Sequence, residues 1–244
     1  MTAAVTLNKE RLQGTSGLPA EPALRWAATF LADLIKPGAS DPPGEFDADR
    51  VGGTFDDPEE ANDWARRFYK SWVEELSPEE YSALEEYKKE GFRSLNRGLR
   101  NHNGELYMLP PEDRLRAEGL DAALQKAPAL EWPVVAYRGR LPDAVLEAFE
   151  AGEEETLLGH VFGDIAYTST SLRCGVAREY GGSSRFPESV GRITLPPGTR
   201  AGYVDAVLDK GQSELLLPRE ARVRIDKAYR EGGVYWIEGQ LVPW

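Results

Sequence analysis

The chain has 244 residues, 41% hydrophobic and 10% aromatic, enough for one large domain or two small ones built on a proper core. Its formal net charge of −12 argues against a general phosphate-binding surface, because non-specific nucleic-acid binding is carried by basic charge, but it leaves room for a local basic groove. One cysteine, Cys174, excludes an internal disulfide and a cysteine metal cage, His102 and His160 are too few for a histidine zinc site, no apolar run reaches the length of a membrane span, and the N-terminal MTAAVTLNKERLQG lacks the basic start and apolar centre of a signal peptide.

Residues 1 to about 55 read as an extension. Within it RWAATFLADLI (25–35) fits a short amphipathic helix, and KPGASDPPGEFDADRVGG (36–53) fits an irregular loop or linker. Asp57 before Pro58, with Glu60 three residues on, is a helix start: an N-cap acceptor, proline in the first turn and an acid at the positive end of the dipole. Trp64, Phe68, Trp72 and Leu76 then recur every four residues as one apolar face. Ser77-Pro78-Glu79-Glu80 reads as a capping box for a second helix, with Tyr81, Leu84 and Tyr87 on its buried side. A third helix is predicted from Phe92 to about Arg100 and a fourth from about Glu112 to Lys126.

From there the pattern turns to strands. WPVVAYRG (132–139) is β-rich, and a short helix fits Pro142 to Glu150. Strands are predicted near Ala166–Ser169, Arg192–Leu195, Leu215–Leu217, Arg222–Ile225 and Val234–Leu241, with Gly232-Gly233 as the hairpin turn between the last two. Helices first and strands afterwards indicate an α+β fold.

Three polar features interrupt these apolar strands: Arg138 after Val134-Val135-Ala136-Tyr137, the run Thr168-Ser169-Thr170-Ser171, and Gln212-Ser213-Glu214 in front of Leu215-Leu216-Leu217. Each alone is ordinary: a solvated arginine, an edge strand, a glutamate on a polar face. Their order and contexts, Tyr137-Arg138-Gly139, Ser169-Thr170-Ser171-Leu172 and Gln212-Ser213-Glu214, resemble the C3-like and actin-modifying toxin families of ADP-ribosyltransferases. GTRAGYVD (198–205) and ELLLPRE (214–220) resemble the strands on either side of that family's target-recognition loop, and Leu95–Arg100 resembles its NAD-contacting helix. The resemblance spans roughly residues 60 to 242 and implies an ADP-ribosyltransferase domain over 56–244: a helical layer, then two packed, mostly antiparallel sheets enclosing an NAD cleft.

The resemblance also implies roles. Transfer from NAD passes through an oxocarbenium-like ribose cation, and Glu214 would stabilise it while hydrogen-bonding the ribose 2′-hydroxyl. Ser169 would hold Glu214. Arg138, with Gly139 beside it, would take the pyrophosphate through a forked, permanently charged donor. Asn96 and Arg100, four apart on one helix face, would hold the rest of the phosphate–ribose portion. In the loop Arg173–Pro187, Arg185 would meet phosphate and Phe186 would stack near nicotinamide, with Arg173 and Arg178 as competitors for the phosphate.

Gln212 bears on the acceptor. A guanidinium needs a carboxylate, whereas an amide matches another amide or a base edge. Gln212 therefore speaks against arginine and for an Asn or Gln side chain of a protein, with guanine as the alternative and water as a third acceptor. Asp209 stands three residues before Gln212, where C3-like enzymes carry an aromatic, which argues against a Rho-type GTPase target. No metal is required, and NAD is the only small partner expected. A toxin or effector is indicated, secreted or delivered without a signal peptide into a target-cell cytosol, with residues 1–55 free to serve a delivery or immunity partner. The alternatives are a cytoplasmic protein and an inactive adaptor of the same fold.

Overall fold

The Asp57 carboxylate accepts from the backbone N–H of Glu59 at 2.7 Å and so caps helix α1, Pro58–Phe68. The structure, a computed structural model, describes Phe55 and residues 57–242; the segments 25–35 and 36–53 and the terminal Trp244 lie outside them. The four-residue apolar stripe does not run on one helix. It breaks at Tyr69, which is wholly buried and stacks on Tyr203, and α2 (Lys70–Glu74) is a separate piece. Trp72 in α2 is fixed by its indole N–H, which donates to the Ala123 carbonyl at 2.8 Å.

The capping box forms as read: the Ser77 hydroxyl accepts from the Glu80 N–H, and the Glu80 carboxylate accepts from the Ser77 N–H, opening α3, Pro78–Glu86. Leu84 and Tyr87 are buried, but Tyr81 is 39% exposed, because its hydroxyl reaches out to the Val207 carbonyl. α3 runs into one π-helical turn, Tyr87–Gly91, before α4 (Phe92–Asn101). α5 (Pro111–Lys126) completes the helical layer and packs against α3 and α4.

Eight strands follow: β1 (Val134–Gly139), β2 (Val161–Gly163), β3 (Thr168–Ser171), β4 (Ser189–Leu195), β5 (Gly202–Tyr203), β6 (Glu214–Leu217), β7 (Arg222–Glu231) and β8 (Val234–Val242), in the spatial order β2-β7-β8-β4-β1-β3-β6-β5. α6 (Asp143–Ala151) and α7 (Cys174–Glu179) lie between strands in sequence. All neighbours are antiparallel except β4 and β8. The ladder is continuous but narrows to one residue pair, Tyr137 with Ser171, where β1 meets β3. That narrow joint divides it into a five-strand part and a three-strand part. Gly232 and Gly233, at φ 57° and 80°, form the β7–β8 turn, a conformation that side chains resist. The core between helices and sheet holds Leu95, Leu99, Leu120, Tyr167, Leu215 and Leu217, each 0–1% exposed; burying one such leucine is worth about 1.5–3 kcal/mol.

Candidate active site

The narrow joint brings the three polar features together. Tyr137 pairs with Ser171, and Ser171 pairs in turn with Glu214, so the end of β1, the end of β3 and the start of β6 lie side by side. Register unites Arg138 and Glu214, 76 positions apart (214 − 138).

Glu214 is 9% exposed, and its Oε2 accepts from the Lys88 ammonium at 2.5 Å. Lys88 is itself 4% exposed. It also donates to the Gln212 Oε1 at 2.7 Å and ion-pairs with Asp205 at 2.5 Å, off the hydrogen-bond axis. A carboxylate at the mouth of an apolar strand is thus not left uncompensated. Asp205 accepts the backbone N–H groups of Gln212 and Ser213 at 2.7 and 2.8 Å. Those bonds hold Ser213 in the left-handed region, φ 48°, where its hydroxyl donates to Asn62 at 2.6 Å. A non-glycine residue kept there is strained. Gln212 and Glu214, two residues apart, both reach Lys88. On its other side the Gln212 amide nitrogen donates to the Tyr180 hydroxyl at 2.6 Å.

Ser169 makes no hydrogen bond to Glu214. Its hydroxyl lies 3.5 Å from that of Tyr87, and its carbonyl accepts from Arg138 at 3.2 Å. Lys88 makes the contact with Glu214 that was assigned to Ser169, because the π turn drives its side chain inward under the loop. Burial pushes the Tyr87 hydroxyl up to about 12, keeping it a neutral hydrogen-bonding group between Ser169 and Asn96.

Arg100 and Arg138 converge on one carboxylate. Arg100 grips Asp164 with Nε and Nη2 at 3.0 and 2.6 Å, and Arg138 stands 3.6 Å from the same group. Burial pushes the Asp164 carboxyl up, but the Arg100 hydrogen bonds and charge and the Arg138 charge outweigh it and hold the carboxyl below its usual range. Burial pulls Arg138 down from the usual guanidinium value.

Several assignments change. The Asn96 amide is spent inside the protein: it donates to Tyr87 at 3.0 Å and accepts from the Tyr167 N–H at 3.3 Å, so it struts the helix to β3. Phe186 is 6% exposed and packed in the core, with the Arg185 guanidinium 4.7 Å over its ring. Arg185 pairs with Glu147 at 2.9 Å and Arg178 with Glu188 at 2.5 Å. Arg173 instead donates to the Gly211 carbonyl at 3.2 Å, next to the Gln212 motif. The segment read as a loop, Arg173–Pro187, opens as helix α7. Gly139 is there for it: a Cβ at Gly139 would stand 2.0 Å from the Ala177 carbonyl oxygen.

Lys88, Asp205, Asp164 and Tyr180 were not singled out from the sequence. Only Lys88 carried a signal: it follows buried Tyr87 and lies four residues after buried Leu84, a place on the inward stripe where a lysine needs a partner. Among the described residues no group of three or more His, Cys, Asp or Glu is placed to hold a metal ion, and no helix is long and apolar enough to cross a membrane.

The family model described as ADP-ribosyltransferase exoenzyme matches residues 61–234. An NAD(+)–arginine ADP-ribosyltransferase of Enterococcus faecalis is 26% identical over 201 residues, covering 81% of this chain; the chain spans only 37% of that relative's length. The Clostridium limosum C3 exoenzyme has the same fold, with a TM-score of 0.67 over 80% of this chain and 99% of its own, at 23% identity. The C3larvin toxin of Paenibacillus larvae, an ADP-ribosyltransferase, is 28% identical, with a TM-score of 0.58 over 73% of this chain and 94% of its own.

Proposed function

The chain belongs to the ADP-ribosyltransferase exoenzyme family, whose substrate is NAD, and from that membership we propose a mono-ADP-ribosyltransferase toxin whose acceptor is not arginine but an Asn- or Gln-type side chain of a protein. In this reading residues 56–244 are the catalytic domain, acting in a target-cell cytosol, and residues 1–55 are an extension serving delivery or an immunity partner. Arg100 and Arg138 take the pyrophosphate: forked cations already gathered around one carboxylate fit a second anion. Glu214 faces the ribose. The bond from ribose C1′ to the nicotinamide nitrogen breaks, nicotinamide leaves with the electron pair, C1′ bonds to the acceptor nitrogen, and that nitrogen gives a proton to water. Glu214 stabilises the positive charge that the ribose carries in between.

The observation that carries the acceptor reading is the residue beside Glu214: an amide, Gln212, held between Lys88 and Tyr180. A neutral amide neither attracts a guanidinium nor takes its proton. The E. faecalis relative is named for an arginine acceptor, so arginine is the competing class. The test is labelling of a cell lysate with biotinylated NAD, with Glu214→Ala as control and the product split between protease and nuclease. Label that survives nuclease and vanishes with protease is the expected result. Label lost to nuclease would move the acceptor to guanine, and nicotinamide release without label would leave water as the acceptor. Neither label nor release would leave the inactive adaptor.

A further inference from the structure

We propose that Lys88 is the specificity-determining positioning residue of the acceptor site: it locks the Gln212 amide in one orientation and holds the ammonium that would capture any carboxylate placed at position 212 to pair with a guanidinium. This deepens the non-arginine reading above and rests on it.

The orientation follows from donor chemistry. An ammonium has only donors. Its 2.7 Å contact with Gln212 therefore fixes the amide oxygen inward. The amide nitrogen then faces Tyr180, 2.6 Å away, and that tyrosine is 57% exposed. One amide N–H goes to Tyr180, and the second remains to meet an acceptor. An amide acceptor offers its carbonyl to that N–H, which turns its nitrogen toward the ribose. A guanidinium offers only donors and meets that outward N–H, with the cationic Lys88 behind it.

The placement of Lys88 is built in from both sides. The π turn sets its backbone, and the Lys210 ammonium donates to the carbonyls of Lys88 and Lys89 at 2.7 and 3.2 Å, tying the loop to that turn. Asp205 ion-pairs with Lys88 and accepts the Gln212 N–H, so one carboxylate aligns both partners. A carboxylate substituted at position 212 would meet the same ammonium and be consumed by it.

That consumption is testable. Wild type, Gln212→Glu, Lys88→Met with Gln212→Glu, and Lys88→Gln with Gln212→Glu would be given NAD and agmatine, a small guanidinium, and ADP-ribosyl-agmatine measured per nicotinamide released. Gln212→Glu alone is expected to stay near wild type, while a double variant forms at least about ten-fold more product per cleavage, since freeing the carboxylate removes a repulsive element and adds an attractive one. Gln212→Glu alone matching the doubles would overturn the proposal and leave the acceptor reading intact. Agmatine modified by wild type would sink the acceptor reading itself, and this inference with it. The Lys88→Gln pair decides if the Lys88→Met pair does not fold. Should neither pair cleave NAD, Lys88→Gln alone decides. About ten-fold less lysate label per nicotinamide released supports the role; an unchanged ratio, or a folded protein without release, overturns it.

Discussion

Among the described residues Glu214 is ion-paired with Lys88, and the proposed function gives this carboxylate the positive charge on the ribose to stabilise. Glu214→Gln keeps its size and removes its charge. Removing one preorganised electrostatic contact to a transition state costs about 10²–10³ in rate. NAD cleavage should fall by that factor with NAD affinity little changed, as read by nicotinamide release and by titration of NAD binding. A fall below about ten-fold would take Glu214 out of the chemistry. Gly139 makes a different prediction. A methyl group there meets the Ala177 carbonyl oxygen at 2.0 Å, backbone against backbone, and neither can swing away. Gly139→Ala should destabilise by about 1–3 kcal/mol, typical of overpacking, and lower the melting temperature by several degrees. An unchanged melting temperature would mean that α7 can move off β1.

At the scale of elements, Asp164 ties α4 to β1 through Arg100 and Arg138. Although burial pushes it up, the Arg100 hydrogen bonds and the charges of Arg100 and Arg138 hold its folded pKa below the ordinary aspartate value. A depressed carboxylate contributes stability that is present above the unfolded value, about 4, and lost as pH falls through the folded one. Asp164→Asn should therefore be less stable than wild type at pH 7, and the gap should narrow as pH drops below about 4. Thermal melts across that range would show it, and a gap that holds constant into acid would contradict the pairing. The π turn shows why elements were only partly legible. Caps are local, so Asp57 and Ser77 announced their helices with residues two or three away. The π turn has no such mark, and the break at Tyr69 is set by a buried ring packed on Tyr203, far along the chain. Helix periodicity could therefore place Trp64 and Trp72 on apolar faces without revealing that two helices carry them.

Across the whole molecule, the order of polar interruptions in apolar strands was legible because a strand that buries both faces tolerates few polar residues, and those that remain stand out. Arg138, Ser169, Gln212 and Glu214 stood out that way, whereas the α+β class followed from helices preceding strands. The partners of these residues were not legible. Lys88 and Glu214 are 126 positions apart, and Arg100 and Asp164 are 64 apart; nothing in one segment names the other. The reassignment of Asn96, Phe186 and Arg185 has the same origin, since a side chain's residue type says what it can bond and only packing says what it meets. By itself the sequence determined most of the helices and strands, the caps and the β7–β8 turn, because those depend on local sterics and on hydrophobic period. The tertiary structure alone decided which carboxylate meets which cation, because that depends on strand register and on one irregular turn of helix, both settled by contacts that the chain makes only when folded.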